Sequence, residues 1–207
     1  MDIKEAWAIV GGLSKPSKMP CYSFSLPTSA CYVGSKLRLL PNTVCSTCYA
    51  DKWRYRWRIV QEALLRRLKG IKNPLWCDAM VYLINHLEAS GYFRWLDSGD
   101  VQGRNHLNKI VEVCQRTPHI QHWLPTKEHN LIKQYLKERG NFPSNLCVRL
   151  SVYMLEQSKP SKGFLSTMPT SGVAKSYDCP AVHQKNKCLT CRRCWNRQVS
   201  HVVYHKG

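Results

Sequence analysis

The sequence is short of acidic residues, and it has no long apolar run. Only 13 Asp and Glu stand against 31 Lys and Arg, so the formal net charge at pH 7 is +18. A surface of that sign attracts polyanions, chiefly nucleic acid; the alternative is a basic surface that is merely solvated. No apolar stretch approaches the roughly 20 residues of a membrane helix. The opening residues 1–5 also lack the apolar core of a signal peptide. We therefore expect a cytoplasmic protein with no membrane partner.

Cysteine is abundant, with 11 residues in a chain of 207. A disulfide framework is typical of short secreted chains, whereas this chain is longer, lacks an export signal and has an odd number of cysteines. Seven of the cysteines fall into two tight groups. In a reducing cytoplasm such groups predict metal sites, so we interpret these cysteines as ligands.

The first group consists of Cys31 and a CxxC pair, Cys45 and Cys48. Three thiolates leave one coordination position open on a metal ion, as a catalytic site does for its substrate. The same holds for an iron–sulfur cubane with one iron that the protein does not ligate. A fourth ligand from Cys21 or elsewhere is the alternative.

The second group has the compact CxxCxxC spacing that is typical of ferredoxin-type [4Fe-4S] ligands. A structural zinc site, which also uses four cysteines, is the alternative. Arg192, Arg193 and Arg197 would offset the charge of a thiolate-ligated cluster. The sequence leaves open whether the two groups form two sites or meet in one. The four cysteines of this group are Cys179, Cys188, Cys191 and Cys194. Three further cysteines lie in apolar contexts and are predicted core residues: Cys77, Cys114 and Cys147.

Apolar patterning predicts strands that alternate with helices, and therefore βαβ units around a parallel sheet. We expect an α/β fold, either a partial (β/α) barrel or an open parallel sheet, with a cysteine-rich C-terminal extension. The predicted domains are an α/β cluster-binding domain, 1–158, and the extension, 159–207, packed on it. Predicted strands are 21–26, 92–96, 120–124, 146–153 and 199–204. Predicted helices are 51–70, 73–91, 104–116 and 128–139.

Distinctive polar segments follow three of the predicted strands. The first cysteine group follows strand one, Asp97–Asp100 follows strand two, and 126–128 follows strand three. Because ligand sites of parallel α/β folds lie at the carboxyl ends of the strands, we expect these segments to share one rim. Ser98, Gly99 and Asp100 are then candidate cofactor-binding residues. The alternative is that each segment is only a turn.

Several distinctive motifs occur together in the chain: Ser17–Pro20, Cys31 with Gly34–Leu37, Cys45–Ala50, and Cys179-Pro180 with Cys188, Cys191, Cys194 and Trp195. Together they resemble the bacteriophage gene product 88 family. The resemblance implies a phage origin, and hence the cytoplasm of an infected host cell, but it implies little about activity.

A more distant likeness is to radical S-adenosylmethionine (SAM) enzymes. It implies a partial barrel whose three cysteines after the first strand hold a cluster, with SAM on the open iron. Ser98, Gly99 and Asp100 would correspond to that family's second-strand motif. The spacing departs from the usual CxxxCxxC, since 13 residues separate Cys31 from Cys45.

Three classes of function follow from these features. The first is an iron–sulfur enzyme that binds SAM or another small ligand. The second is a zinc-ribbon adaptor. The third is a nucleic-acid-binding protein with a structural iron–sulfur or zinc site, in which Trp and Tyr stack on bases and basic residues follow the phosphates. Those basic residues would be Lys52, Arg54, Arg56 and Arg58, and in the tail Lys185, Lys187, Arg192, Arg193 and Arg197.

Overall fold

Six parallel strands form one open sheet in the computed structural model, which describes residues 1–157 and 168–205. Their order in the sheet follows their order in the chain, and every neighbouring pair is parallel. The predicted α/β class, a partial barrel or open parallel sheet, is confirmed. The strands are β1 (Ser23–Phe24), β2 (Tyr92–Trp95), β3 (Gln121–Thr126), β4 (Leu146–Ser151), β5 (Thr170–Ala174) and β6 (His201–His205).

Six α-helices connect or flank these strands in the described residues. Three of them lie between β1 and β2, and one each separates β2 from β3 and β3 from β4. None is long and apolar enough to cross a membrane. The helices are α1 (Ile3–Val10), α2 (Tyr32–Arg38), α3 (Arg58–Gly70), α4 (Trp76–Leu87), α5 (Gly103–Arg116) and α6 (His129–Arg139).

Alternation of side chains along the strands gives the sheet two different faces. On β2, Phe93 and Trp95 are fully buried in the main apolar core, which also contains residues of α1, α4 and α5. Tyr92 packs on the opposite face, against a second apolar cluster that includes Trp123 and Trp195. We call these the helix face and the cysteine face, because Cys188 and Cys194 of the tail pack into the second cluster.

The segment before α3 differs from its prediction. A helix was expected over 51–70, but the α-helix begins only at Arg58, and 51–57 consists of short 3-10 turns. The chain is extended at Lys52, and Trp53 has a φ of 51°, so a continuous helix is interrupted there. The spacing of Trp53, Trp57 and Leu64 predicts one buried apolar face, but Trp53 and Trp57 are exposed whereas Leu64 is buried.

The predicted domain boundary, between 158 and 159, lies outside the described residues. On its far side, β5 and β6 continue the same sheet, with β5 pairing to β4 through Thr170 and Leu150. The C-terminal extension therefore contributes two strands as well as its cysteines.

Candidate metal centres

The three cysteines of the first group, here called the rim site, lie after β1. Cys31 is the N-cap residue of α2, and Gly34 lies one turn along that helix. A Cβ atom on Gly34 would lie 3.6 Å from the sulfur atoms of both Cys31 and Cys45. Two thiols therefore face one point in space, and the absence of a side chain at Gly34 keeps that point free.

The loop that carries Cys45 is tied to the far end of β4. Thr43 forms an isolated bridge with Met154, and the Val44 amide donates a hydrogen bond to the Tyr153 carbonyl oxygen at 2.9 Å. Cys48 follows within the same loop, where its amide donates to the Cys45 carbonyl oxygen at 3.3 Å. The CxxC pair is thus held at the carboxyl edge of the sheet, where β4 ends.

Hydrogen bonds join the loops after β1 and β2. The Leu26 amide donates to the Ser98 carbonyl oxygen, and the Ser98 hydroxyl donates back to the Leu26 carbonyl oxygen, both at 2.9 Å. The Tyr49 hydroxyl, adjacent to Cys48, donates to the main-chain oxygen of Asp97. The first cysteine group and the segment after β2 therefore share one edge of the sheet, as the strand order predicts.

Asp100 connects the same edge to the loop after β3. Its carboxylate accepts hydrogen bonds from the Thr126 hydroxyl at 2.6 Å, from the Lys127 amide at 2.8 Å and from the Val101 amide at 2.8 Å. Gly99 has a φ of 76°, and a Cβ there would lie 2.6 Å from the Leu26 Cβ, so only glycine fits. The observed contacts of Ser98, Gly99 and Asp100 fix the edge beside the rim site. Their binding of a cofactor stays a prediction.

Burial and nearby charges shift the pKa values of the three rim thiols. Burial, with the Asp100 carboxylate and the other two cysteines, raises the pKa of Cys31 to about 12, and burial also raises the pKa of Cys45 and Cys48. Lys127 acts in the opposite direction on all three pKa values and has no ion-pair partner within the described residues. Metal binding at this site would have to displace protons, and the Lys127 ammonium would offset the resulting negative charge.

An open depression lies beside Cys31, and Lys36, Gln102 and Glu128 line it among others. Glu128 is 8% exposed and accepts a hydrogen bond from the Val33 amide at 3.0 Å through one of its oxygens. Burial raises the pKa of this carboxyl. Glu128 belongs to the rim segment 126–128, which is predicted because it follows an apolar strand, but the sequence does not identify this carboxylate as a site residue.

The four cysteines of the second group, here called the tail site, line one cavity on the cysteine face. The cavity is also lined by Ala181, Arg193, Trp195 and Val202. The Cys179 amide donates to the Val203 carbonyl oxygen at 3.0 Å, which fixes that end of the group to β6. The compact run of three cysteines and the earlier Cys179, separated in the sequence, are thereby brought together.

Arg149 holds the tail site against the sheet. This β4 side chain is fully buried, and its guanidinium donates hydrogen bonds of 2.7 to 2.9 Å to the carbonyl oxygens of Arg193, Cys194 and Asn196. A fourth, to the Thr170 carbonyl oxygen, is 3.2 Å long. Sequence reasoning missed Arg149; the signal was one charged residue within an otherwise apolar strand.

Burial and neighbouring charges have opposite effects on the pKa of Cys194 in the tail site. Burial raises the pKa of this thiol to about 11. The Tyr204 hydroxyl, 3.3 Å from the sulfur, and the charges of Arg149 and Arg94 act in the opposite direction. The cations would therefore stabilise a thiolate once a metal replaced its proton.

The described residues contain no ready-made ligand set for a single metal ion. Across 1–157 and 168–205, no three Cys, His, Asp or Glu side chains are arranged to hold a single metal ion. All eleven cysteines are free thiols.

Most of the chain matches one known protein family. A family model described as Gene product 88 matches residues 4–197. The chain belongs to the Gene product 88 family. The matched range spans every cysteine of the rim and tail sites. No curated protein and no solved structure is detectably similar to the chain. The predicted relationship to this phage family is confirmed, and the likeness to radical SAM enzymes stays a prediction.

Proposed function

We propose that this Gene product 88 chain is an iron–sulfur protein that holds one [4Fe-4S] cluster at the tail site and a second at the rim site. The observation that carries the proposal is that all four tail cysteines line one cavity. Thiolates are the normal ligands of such clusters. The clusters also suit the reducing cytoplasm of an infected cell, the location we propose for this protein.

The space beside Gly34 at the rim site supports a cluster rather than a zinc ion. Zinc–sulfur bonds of about 2.3 Å bring four tetrahedral sulfurs to within about 4 Å of one another. A cubane instead binds each thiolate through a different iron, and its ligands are further apart. Within the described residues, no three ligand side chains suit a single ion. At the rim, Gly34 leaves a space between Cys31 and Cys45 that any side chain would fill.

We propose that the rim site binds a small ligand at the cluster's fourth coordination position, with SAM as the candidate. A cluster bound there would supply one-electron chemistry and an open iron site. The residues suited to such a ligand are Lys127, whose positive charge lowers the pKa values of the rim thiols, and Glu128, which lines the depression beside Cys31. A ligand with a carboxylate and an amino group matches this pair of charges.

Metal analysis after oxygen-free purification tests the cluster proposal. We expect a brown protein with about four irons and four sulfides per site. Stoichiometric zinc without iron, after expression with ample iron, would contradict it and support the zinc-ribbon adaptor.

Addition of SAM to the reduced protein tests the ligand proposal, and it should change the electron paramagnetic resonance spectrum of the rim cluster. An unchanged spectrum, with no SAM retained in equilibrium dialysis, would leave the clusters in place and remove the SAM-dependent enzyme.

A second candidate function is nucleic-acid binding around a structural cluster. It is favoured by the net charge of +18 and by three exposed cations, Lys52, Arg54 and Arg56, which have no ion pair in the described part of the chain. Phosphate contacts of such cations weaken steeply as salt rises. Retardation of DNA or RNA near 50 mM salt, lost at higher salt, is the expected result. No retardation of single- or double-stranded nucleic acid would leave the basic surface solvated.

A further inference from the structure

We propose that the turn Trp53–Trp57 is a platform on which the bases of a single-stranded nucleic acid stack, directly beside the rim site. This inference rests on the nucleic-acid candidate and not on the presence of a cluster. It assigns the partner's class, its location on the surface and the side chains that contact it.

The first observation is the exposure of large aromatic side chains. Trp53 is 85% exposed and Trp57 is 57% exposed, although tryptophan is among the residues that gain most from burial. Ile59, immediately beyond them, is 70% exposed. Exposed apolar side chains that cluster within one short segment indicate a surface that meets a partner.

The second observation is the unbalanced charge between these aromatics. Lys52, Arg54 and Arg56 are exposed, and no acidic residue lies between Lys52 and Ile59. The neighbouring acids are already engaged, because Asp51 pairs with Arg38 and Glu62 pairs with Arg58, each at 2.8 Å. Lys52, Arg54 and Arg56 form no ion pair in the described residues and can contact phosphate groups.

The third observation is that the turn is held in place from within. The Tyr55 side chain points inward, and its hydroxyl donates to the Asp97 carboxylate at 2.9 Å. Gln61 donates to the Tyr55 carbonyl oxygen at 2.5 Å. Trp53 is held at a φ of 51°, a backbone conformation that is unusual for a bulky residue and often marks a functional segment. The exposed indole is thus presented by a fixed turn.

The chemistry of the platform selects a single strand. Base faces stack on aromatic side chains only when the bases are not already paired and stacked within a duplex. The Arg54 guanidinium lies 5.8 Å from the centre of the Trp57 ring, so a cation and an aromatic face are available side by side. An anionic lipid surface would use the same cations but would not require stacking.

The position of the platform connects it to the rim site. Tyr55 binds the Asp97 carboxylate, while Tyr49, next to Cys48, binds the main-chain oxygen of the same residue. The Tyr49 and Tyr55 rings are 5.9 Å apart in an edge-to-face contact. A strand on the platform would therefore pass the carboxyl edge of the sheet, where the rim thiols lie.

Fluorescence anisotropy of the full-length protein with labelled oligo(dT), a matching duplex hairpin and anionic phosphatidylglycerol vesicles tests the proposal. We expect preference for the single strand, and at least a tenfold loss of its affinity in the W53A/W57A double variant, given about 1–3 kcal/mol per stacked base. Duplex affinity of the same variant should change less than about twofold, because phosphate contacts remain. The single variant Trp53→Phe should keep most of the wild-type affinity for the single strand, since phenylalanine still stacks.

Charge variants provide the matched control. R54A/R56A should weaken both nucleic acids and reduce the salt slope for the single strand by about 0.7 per lost phosphate contact. K133A/K137A, an equal charge change on exposed residues of α6, should do so much less.

Three outcomes would each contradict the platform. They are single-strand binding by W53A/W57A at wild-type affinity, a preference of the wild type for the duplex, and tighter binding of the wild type to the vesicles than to the single strand. Salt-dependent duplex binding would still preserve the broader nucleic-acid candidate, and unchanged iron content in these variants would show that the cluster sites are intact.

Discussion

Arg149 donates a hydrogen bond from its Nε atom to the carbonyl oxygen of Cys194, at 2.9 Å and across 45 residues of sequence. The arginine belongs to β4 and is fully buried, and among the described residues its hydrogen-bond partners are carbonyl oxygens rather than acids. A buried cation without an acidic partner carries a large desolvation cost. Anionic thiolates at the tail site would reduce that cost, so the fold and metal binding at this site should depend on each other.

Replacing Arg149 with methionine should therefore destabilise the protein and release metal from the tail site. The variant leaves one buried and three partly buried carbonyl oxygens without their donor, and we expect a loss on the order of 3 kcal/mol in the free energy of unfolding. Urea denaturation and iron content measure the two effects. Arg104→Met is the control, since Arg104 forms a solvent-exposed ion pair with Glu138 that should contribute little to stability. Full iron content and stability in Arg149→Met would contradict the dependence.

Cysteine substitutions should separate the two sites. We expect Cys45→Ala and Cys48→Ala to remove about four irons from the rim site, and Cys191→Ala to remove about four from the tail site, or to make the protein insoluble. Cys114→Ala should retain all the iron, because Cys114 is a fully buried core residue of α5. Iron and sulfide analysis of oxygen-free preparations measures the outcome. Full metal content and stability in Cys45→Ala would show that the rim assignment is wrong.

The sequence predicts the parts of the fold that depend on local patterning. The strands β2, β3 and β4 were expected from apolar runs, and their parallel order predicted that the rim segments share one edge. The strand β5 was missed, because its residues TSGVA lack a clear apolar alternation and are paired only through β4 and β6. The helix α2 was also missed, since no helix was predicted before residue 51.

The spacing of the cysteines predicted two groups of thiols but not the residues that hold them in place, and metal binding by either group stays a prediction. Arg149 stands out as a charged residue in an apolar strand, but that pattern does not reveal its partners, which are carbonyl oxygens more than 40 residues away. The helical prediction before Arg58 was wrong because it counted Trp53 and Trp57 as buried positions of an apolar stripe. Hydrophobic periodicity does not distinguish a buried face from aromatic residues that are presented to a partner.

Gly34→Ala should lower the iron content of the rim site. Alanine normally stabilises a helix by about 1 kcal/mol relative to glycine. Here its Cβ would lie 3.0 Å from the Cys31 Cβ and 3.6 Å from two sulfur atoms, within the space proposed for the cluster. Leu39→Ala, at an 84% exposed residue next to the same helix, is the control and should retain full iron. A fully loaded Gly34→Ala protein would place the cluster elsewhere.

Two buried histidines should make the free energy of unfolding depend on pH. Burial lowers the pKa of His106 and of His122 to about 3. The His106 Nδ1 atom accepts a hydrogen bond from the Gln102 amide at 3.0 Å, and His122 Nε2 lies 2.8 Å from the Thr117 hydroxyl, so both rings are held in their neutral form. In the unfolded chain a histidine pKa is about 6.5.

The stabilisation from these neutral rings should be complete above about pH 6.5 and decline as the pH falls toward 3, because only the unfolded chain binds the protons. Each histidine should lower the free energy of unfolding by about 2 kcal/mol between pH 8 and pH 5. His106→Asn should reduce that pH dependence by about the same amount, even though lost packing lowers its stability at pH 8. Urea midpoints across this range measure the effect, with His86→Asn at an exposed position of α4 as the control. A pH dependence in His106→Asn equal to that of the wild type would mean that the buried ring is not the group that titrates on unfolding.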